Sequence, residues 1–566
     1  MTRITTILAW FVALAALLLA EGHVLAATNP PTYLPVVIKP GVAQPGAPPE
    51  IRSFTADPPA IQPGETSSLS WSVTGATSLS ISPGVGAVTG SSVPVKPADT
   101  TVYTLAAANS SGTTTAKVVV TVKQSPPELQ AGAAWLPYSA NPDGSVVHTR
   151  GTNLAVDKNG GVHVAYAIRA SLNSGPHPAY YAYCASNCTA DEQWARVGLV
   201  VEGNAADVRI ALDPSGRPRL MIFSAPASDS AVNHYTYAAC NNNCTAAAGW
   251  TLTPLVTANL IDLDRWDYAF RYFALDPSGH PAFFYTDGSQ GVNHNGTFYA
   301  ACLKDPADLC SDAANWSEAK ISPYMLDKPS LAFSPSGQPR AAFFFFDDTN
   351  DIIMRLLYLD CHAGCLDPAN WEGIFMADIH GSSRFTLTVD GQGRPRMIFY
   401  SGDYPDPAFQ ANRLYYLWCN TGCRLSGQND WQVRDLELPK YHGQDADLVL
   451  DAQGRPRIAY DAFGGGLSLA WCNESCASTA AVWQSQALEK SAALEADYPV
   501  APIRSCSIST WVSGQQPMLA LDQAGHARIG YTAEHGYGGK DLNEPWKTCP
   551  TYADIILARY LQAPLP

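Results

Sequence analysis

The chain reads as an all-β protein, a seven-bladed β-propeller preceded by a β-sandwich. Three features of the sequence point there. An apolar strand, D-x-x-G and a second apolar strand recur seven times, from NLAVDKNGGVHVAYA to MLALDQAGHARIGYT. Cysteine pairs recur at one place in six of those repeats. Residues 49–123 instead alternate apolar and polar residues between Gly/Pro turns. Repeats of roughly 40–60 residues built from short strands mark a propeller or array.

The first residues, MTRITTILAWFVALAALLLAEGHVLAATNPP, carry Arg3, an apolar run from Ile7 to Ala20 and small residues at Ala26 and Ala27. That order predicts a secretory signal over 1–27. The Pro-rich stretch 28–48 has no amphipathic period and is expected to be an extended linker. No other stretch is long and apolar enough to cross a bilayer. The net charge of −15, with no long basic run, disfavours nucleic acid and anionic membrane surfaces, because phosphate binding needs a positive field.

In 49–123, IRSFTADPPAIQPGETSSLSWSVTG and TTVYTLAAANSSGTTTAKVVVTV predict short strands at sandwich spacing, with Trp71 in the core and Tyr103 near a corner. The unit resembles a bacterial immunoglobulin-like domain. That resemblance implies a spacer or adhesive module, and no catalytic constellation falls in it. Residues 124–132 are a second linker.

Residues 133–566 hold the repeats. Each has four strand candidates. The first ends at the turn Asp, the second follows the turn Gly, the third runs into a Cys and the fourth begins near a Trp. Four antiparallel strands make a propeller blade. The seventh repeat stops after its third strand, DIILARYL, so GAAWLPYS with Trp135 is expected to supply the fourth and remove the exposed edges. A six- or eight-bladed count stays open.

The fourteen cysteines predict seven disulfides. The pairs are Cys184 with Cys188, Cys240 with Cys244, Cys302 with Cys310, Cys361 with Cys365, Cys419 with Cys423, Cys472 with Cys476, and Cys506 with Cys549. Structural zinc wants four ligands, and C-x3-C offers two. Closing each five-residue loop stabilises by about 2 kcal/mol in the chain-entropy model. An oxidising destination, secreted or on the cell surface, follows.

The D-x-x-G turns and the cysteine loops share one face of the blades. The Gly supplies a positive φ and the Asp side chain bonds nearby amides, so that face is expected to be structural. One carboxylate per turn, and Ser334 in one of them, makes a poor calcium cage. The opposite face carries long, dissimilar loops, where function tends to sit. Its candidates for ligand binding are Asp264, Arg265, Trp266, Asp267 and Arg271, then His380 and Arg384, then Tyr441, His442, Asp445 and Asp447. Asp207, Lys328, Arg384 and Asp445 share one offset, six before the turn position, and are expected on one rim. Arg, carboxylates and aromatics together suit a polar ligand such as a glycan. Asp347, Asp348 and Asp351 read as a solvated acidic loop, and the histidines show no metal-ligand spacing.

The repeats resemble those of extracellular bacterial β-propellers grouped near sialidase and BNR-type proteins. The resemblance covers roughly the last three-quarters of the chain and rests on the D-x-x-G-x-P turn. It implies the fold. It does not carry over catalysis, because the turns do not match S-x-D-x-G-x-x-W and no arginine triad is recognisable. Two further enzyme signatures are missing, a G-x-S-x-G elbow and a P-loop, and no cofactor is expected. The function expected is recognition of a glycan or an extracellular protein on the variable face. Two alternatives stay open: a carbohydrate-active enzyme (glycosidase or lyase) using carboxylates there, and a structural surface protein without a discrete site.

Overall fold

The structure is a computed structural model. It describes residues 47–61, 65–122, 131–136, 148–169, 177–225, 232–259, 271–288, 295–346, 354–379, 385–402, 409–423, 430–463, 466–479, 481–497, 506–541, 543, 547–549 and 552–565. The signal and first linker, most of the second linker, and the loops with Asp264–Asp267, His380 and Arg384 lie outside the described residues. The chain divides into two compact units, Met1–Ser125 and Pro126–Pro566.

The first unit has two sheets. One joins Glu50–Asp57, Ser67–Thr74 and Ser92–Val95, and the other is built mainly on Ser78–Ser82, Thr101–Asn109 and Gly112–Val122. Alternation places Leu69 and Trp71 inward on one sheet and Tyr103, Leu105 and Val120 inward on the other. These side chains form a common core.

The second unit consists of repeated four-stranded antiparallel sheets, consistent with a β-propeller. The pattern is clearest in Asn204–Leu212, Pro218–Ala225, Val232–Cys240 and Trp250–Asn259, hydrogen-bonded in that order. Each turn between the first two strands is closed by its Gly N–H donating to the C=O three residues earlier, at 2.8–3.0 Å. The seven turn glycines hold φ between +75° and +92°, a region costly for other residues. Neighbouring turns also nest. A Cβ on Gly279 would come within 2.9 Å of Pro214 in the preceding turn.

The first strands pack against one another in succession, and Cys506–Leu521 packs back against His148–Val156. The last strand, Tyr552–Ala563, pairs with Gly132–Trp135, setting Arg559 opposite Trp135 and Tyr560 opposite Ala134.

Every cysteine meets the partner expected from the spacing. Cys184 is bonded to Cys188, Cys240 to Cys244, Cys361 to Cys365, Cys419 to Cys423 and Cys472 to Cys476, each closing the loop between third and fourth strands. Cys302 is bonded to Cys310 around a longer loop that holds a turn of 3-10 helix, Ala307–Ser311. Cys506 is bonded to Cys549, 43 positions away, where it ties the start of Cys506–Leu521 to the approach to the last strand.

The recurring tryptophans join neighbouring sheets. Trp250, Trp316, Trp371, Trp431 and Trp483 each set an edge against a tyrosine of the preceding sheet: Tyr181, Tyr237, Tyr299, Tyr358 and Tyr416. Trp194 does the same to Tyr560 on the final strand, with centroids 5.2 Å apart. The indole N–H of Trp194, Trp250, Trp316, Trp371 and Trp431 donates to the C=O of the second cysteine of its own loop: Cys188, Cys244, Cys310, Cys365 and Cys423 respectively. The apolar ring is thereby packed between sheets, fully buried at Trp194 and Trp250 and partly at the others, with its polar atom satisfied.

Candidate binding site

Antiparallel pairing puts the D-x-x-G turns and cysteine loops at one end of each sheet. There the turn Asp accepts from two backbone amides, as Asp213 Oδ1 does from Ser215 and Arg217 at 2.9 and 3.0 Å. Sequence reasoning missed a second component. In three sheets an arginine six residues after the Asp lies buried: Arg219, Arg396 and Arg457. Each bonds the Asp Oδ2, a cysteine C=O and an asparagine Oδ1. Burial pulls the Arg457 guanidinium down to about 10 despite the nearby Asp451 carboxylate. The repeated R-P-R after the Gly was the available signal.

At the opposite end, several sequence candidates are already engaged with each other. Arg271, before the third sheet, makes a bidentate ion pair with Asp447 in the sixth, at 2.9 and 2.5 Å. Asp447 also accepts from Leu519 N–H at 2.7 Å. Asp445 is buried; its N–H donates to Asp461 Oδ1 and its Oδ2 accepts from Gln516 N–H. Asp207, at the same offset, is tied to Arg209 by two 2.7 Å bonds. Lys328 sets its ammonium over the Phe344 ring. These charges are engaged by residues of the first and second strands, so they do not present a row of free ligands.

Tyr441 and His442 are placed differently. They sit on the connection entering the sixth sheet, next to an open cleft of about 520 Å³. It is lined by Pro439 and His442, by Tyr460 from Pro456–Ala462, Ser468 from Gly466–Trp471, and Ser485 and Gln486 from Gln484–Glu489, and by Lys490 and Ser491 at the start of the short helix Ser491–Asp497. On the neighbouring surface, Tyr441 and Phe463 are 41% and 65% exposed, with ring centroids 5.6 Å apart. The Lys440 ammonium lies 4.9 Å from the Tyr441 centroid.

The local chain explains this display. Tyr441 has φ +70°, unusual for a bulky residue. It is held there by its N–H to Asn412 C=O at 3.1 Å and by Gly443 N–H to Asp461 C=O at 2.8 Å. Backbone strain of this kind, about 1–3 kcal/mol, concentrates at ligand clamps. Burial holds the His442 imidazole below its ordinary pKa, so it stays neutral near pH 7. Burial raises the Tyr460 phenol, which is hydrogen-bonded to Ser485 and Ser468. No Asp or Glu is among the described residues lining the cleft. It therefore offers hydroxyls, an amide, a neutral imidazole and one ammonium beside two open rings. Phe463, Tyr460, Ser468 and Lys490 were not foreseen. The Phe463-Gly-Gly-Gly run, a short connection after an apolar strand, could have flagged Phe463.

Among the described residues no group of three or more His, Cys, Asp or Glu is arranged to hold a metal ion, and no helix is long and apolar enough to cross a membrane.

No protein-family model matches the sequence, and no curated protein matches it. Solved structures similar to it include a protein of unknown function from Dyadobacter fermentans (TM-score 0.41, 8% identity, covering 78% of this chain and 100% of that one). An α-L-arabinanase from Penicillium chrysogenum complexed with arabinobiose gives 0.37 and 13%, covering 59% and 94%. The β-propeller domain of a Pyrococcus furiosus protease gives 0.37 and 9%, covering 69% and 95%. Similarity at this level carries no argument about activity or ligand.

Proposed function

We propose that the protein is a secreted or cell-surface binding protein that recognises a glycan on the variable-loop face of a seven-bladed propeller. In this reading the strand borrowed from Gly132–Trp135 closes the ring, and the immunoglobulin-like unit is a spacer. The signal-like start and the seven cysteine pairs support export to an oxidising compartment.

One observation carries the reading: the cleft beside the Tyr441 and Phe463 rings. Sugar rings present flat C–H faces and rims of hydroxyls, which match the two exposed rings, chain neighbours of the lining residues His442 and Ala462, and the polar groups of Ser468, Ser485, Gln486 and His442 in the cleft. Among the described residues, that lining holds no pair of carboxylates, about 5–9 Å apart, such as glycoside hydrolysis needs. Binding thus fits this cleft better than turnover does.

The test is a glycan array followed by calorimetry on the hits. Tyr441→Ala and Phe463→Ala should each weaken binding about fivefold or more, the size of a ring contact near 1 kcal/mol, with an unchanged melting temperature. Absence of any glycan hit, or full affinity in the double variant, would overturn the proposal.

A further inference from the structure

The turn carboxylates are not neutralised alike. In three sheets two arginines serve one aspartate. Arg217 and Arg219 reach Asp213 at 2.6 and 2.8 Å, Arg394 and Arg396 reach Asp390 at 2.8 and 2.7 Å, and Arg455 and Arg457 reach Asp451 at 2.6 and 2.8 Å. In the first repeat the same two positions are Gly161 and His163. Among the described residues, the Asp157 carboxylate is met by the Asn159 and Gly161 amides and by His163 Nε2, the last at 3.3 Å. The other imidazole nitrogen is 2.7 Å from Tyr181 Oη. A Cβ on Gly161 would stand 2.6 Å from Asp157 Oδ2 and 2.7 Å from Tyr183 Oη. The Tyr183 ring therefore runs beside the carboxylate, near where the first arginine sits in the sister sheets.

A cavity of about 390 Å³ opens here, between this turn and the turn and cysteine loop of the next sheet. Asp157, His163, Tyr181, Tyr183, Arg217 and Asn242 are among its walls. Its size falls in the range of small-ligand sites, about 300–1,000 Å³. Arg217, the cation on the far wall, is already compensated by Asp213 and by Asp308 at 3.0 Å. Lys158 also borders the cavity and is exposed. Burial lowers the His163 pKa, against the pull of Asp157, so the imidazole brings no charge near pH 7. Asp157, with its side chain only 10% exposed, thus faces the cavity without the permanent cations that serve Asp213, Asp390 and Asp451.

We propose that this cavity binds a guanidinium group against the Asp157 carboxylate, whose counterparts Asp213, Asp390 and Asp451 are served by the chain's own arginines. The group comes either from an arginine side chain on a polypeptide or from a free small cation. The site lies on the cysteine-loop face and is independent of the glycan cleft.

The full chain is titrated calorimetrically with N-acetyl-arginine amide, with its uncharged citrulline counterpart, and with a short neutral peptide bearing one arginine. The arginine probes should bind and the citrulline probe should not. Asp157→Asn should weaken binding about 10- to 100-fold, the usual effect of losing a hydrogen bond to a charged group. His163→Arg, which restores the arginine of the sister sheets, should block binding while the chain stays folded; this arm holds even if the Asp157 variant fails to fold. Tighter binding of the peptide than of the amide assigns the group to a polypeptide, and equal affinity assigns it to a free cation. No arginine binding, equal binding of citrulline, or full affinity in His163→Arg overturns the proposal.

Discussion

Replacing Arg271 by Ala tests whether the Arg271–Asp447 pair is structural or awaits a ligand. The Asp447 side chain is 2% exposed and that of Arg271 27%. Without the guanidinium the carboxylate keeps one described donor, Leu519 N–H. Breaking a fully buried pair costs about 3–5 kcal/mol. Water reaches the Arg271 side, so the discounted cost is about 2–3 kcal/mol. Asp447→Asn keeps an acceptor for Leu519 and should cost less. In the double variant neither charge is stranded, so the losses should fall short of additivity by about 1 kcal/mol or more. Calorimetric melting reads this directly, and at about 2 °C per kcal/mol for a large domain Arg271→Ala should lower Tm by about 4–6 °C. Additive losses within about 0.5 kcal/mol, or an unchanged Tm with lost ligand affinity, would refute the structural reading.

Two further outcomes follow from the packing and the imidazoles. Trp194→Ala removes the edge contact with Tyr560 and the indole bond to Cys188 C=O, a loss of about 3–5 kcal/mol for a large buried ring. Amide exchange should then speed up in Gly132–Trp135 and Tyr552–Ala563, and unchanged exchange there would refute the reasoning. Burial lowers the His280 pKa, but Asp276 and Asp305, at 3.0 and 2.9 Å, outweigh it and raise the pKa. That stabilisation is full below about pH 6.5 and lost as pH rises through the higher folded value. His163 is shifted the other way, so its contribution is full above about pH 6.5 and lost as pH falls through the lower folded value. His280→Gln should therefore flatten the alkaline side of a Tm–pH curve and His163→Gln the acidic side; equal effects on both sides would contradict the assignment.

Much of the fold was legible because its determinants are local. A turn Asp and Gly three residues apart, and a cysteine pair closing a short loop, act within a few residues of themselves. The strand order within each sheet follows from short connections. What escaped were contacts that cross sheets. Arg271 and Asp447 are 176 positions apart, and no periodicity links them. The Trp–Tyr edges join different repeats, so each residue type was visible while its partner was not. The rim offset that grouped Asp207, Lys328 and Asp445 placed them at equivalent positions of their strands. It could not show that Arg209, Phe344 and Gln516 had already engaged them. Tyr441 and His442 stand at the cleft because their loop is locally constrained, while the hydroxyls that complete it come from the second, third and fourth strands of the sixth sheet.

The pairing of Arg559 with Trp135 spans 424 positions (559 − 135). Joining two points so far along a flexible polymer costs about 5 kcal/mol of configurational freedom, and little rewards it until the intervening sheets have formed and shortened the path. During synthesis the segment Gly132–Trp135 must therefore wait, with its edge unsatisfied, for the final strand to leave the ribosome. That delay leaves this seam open to edge exchange between molecules when refolding is crowded.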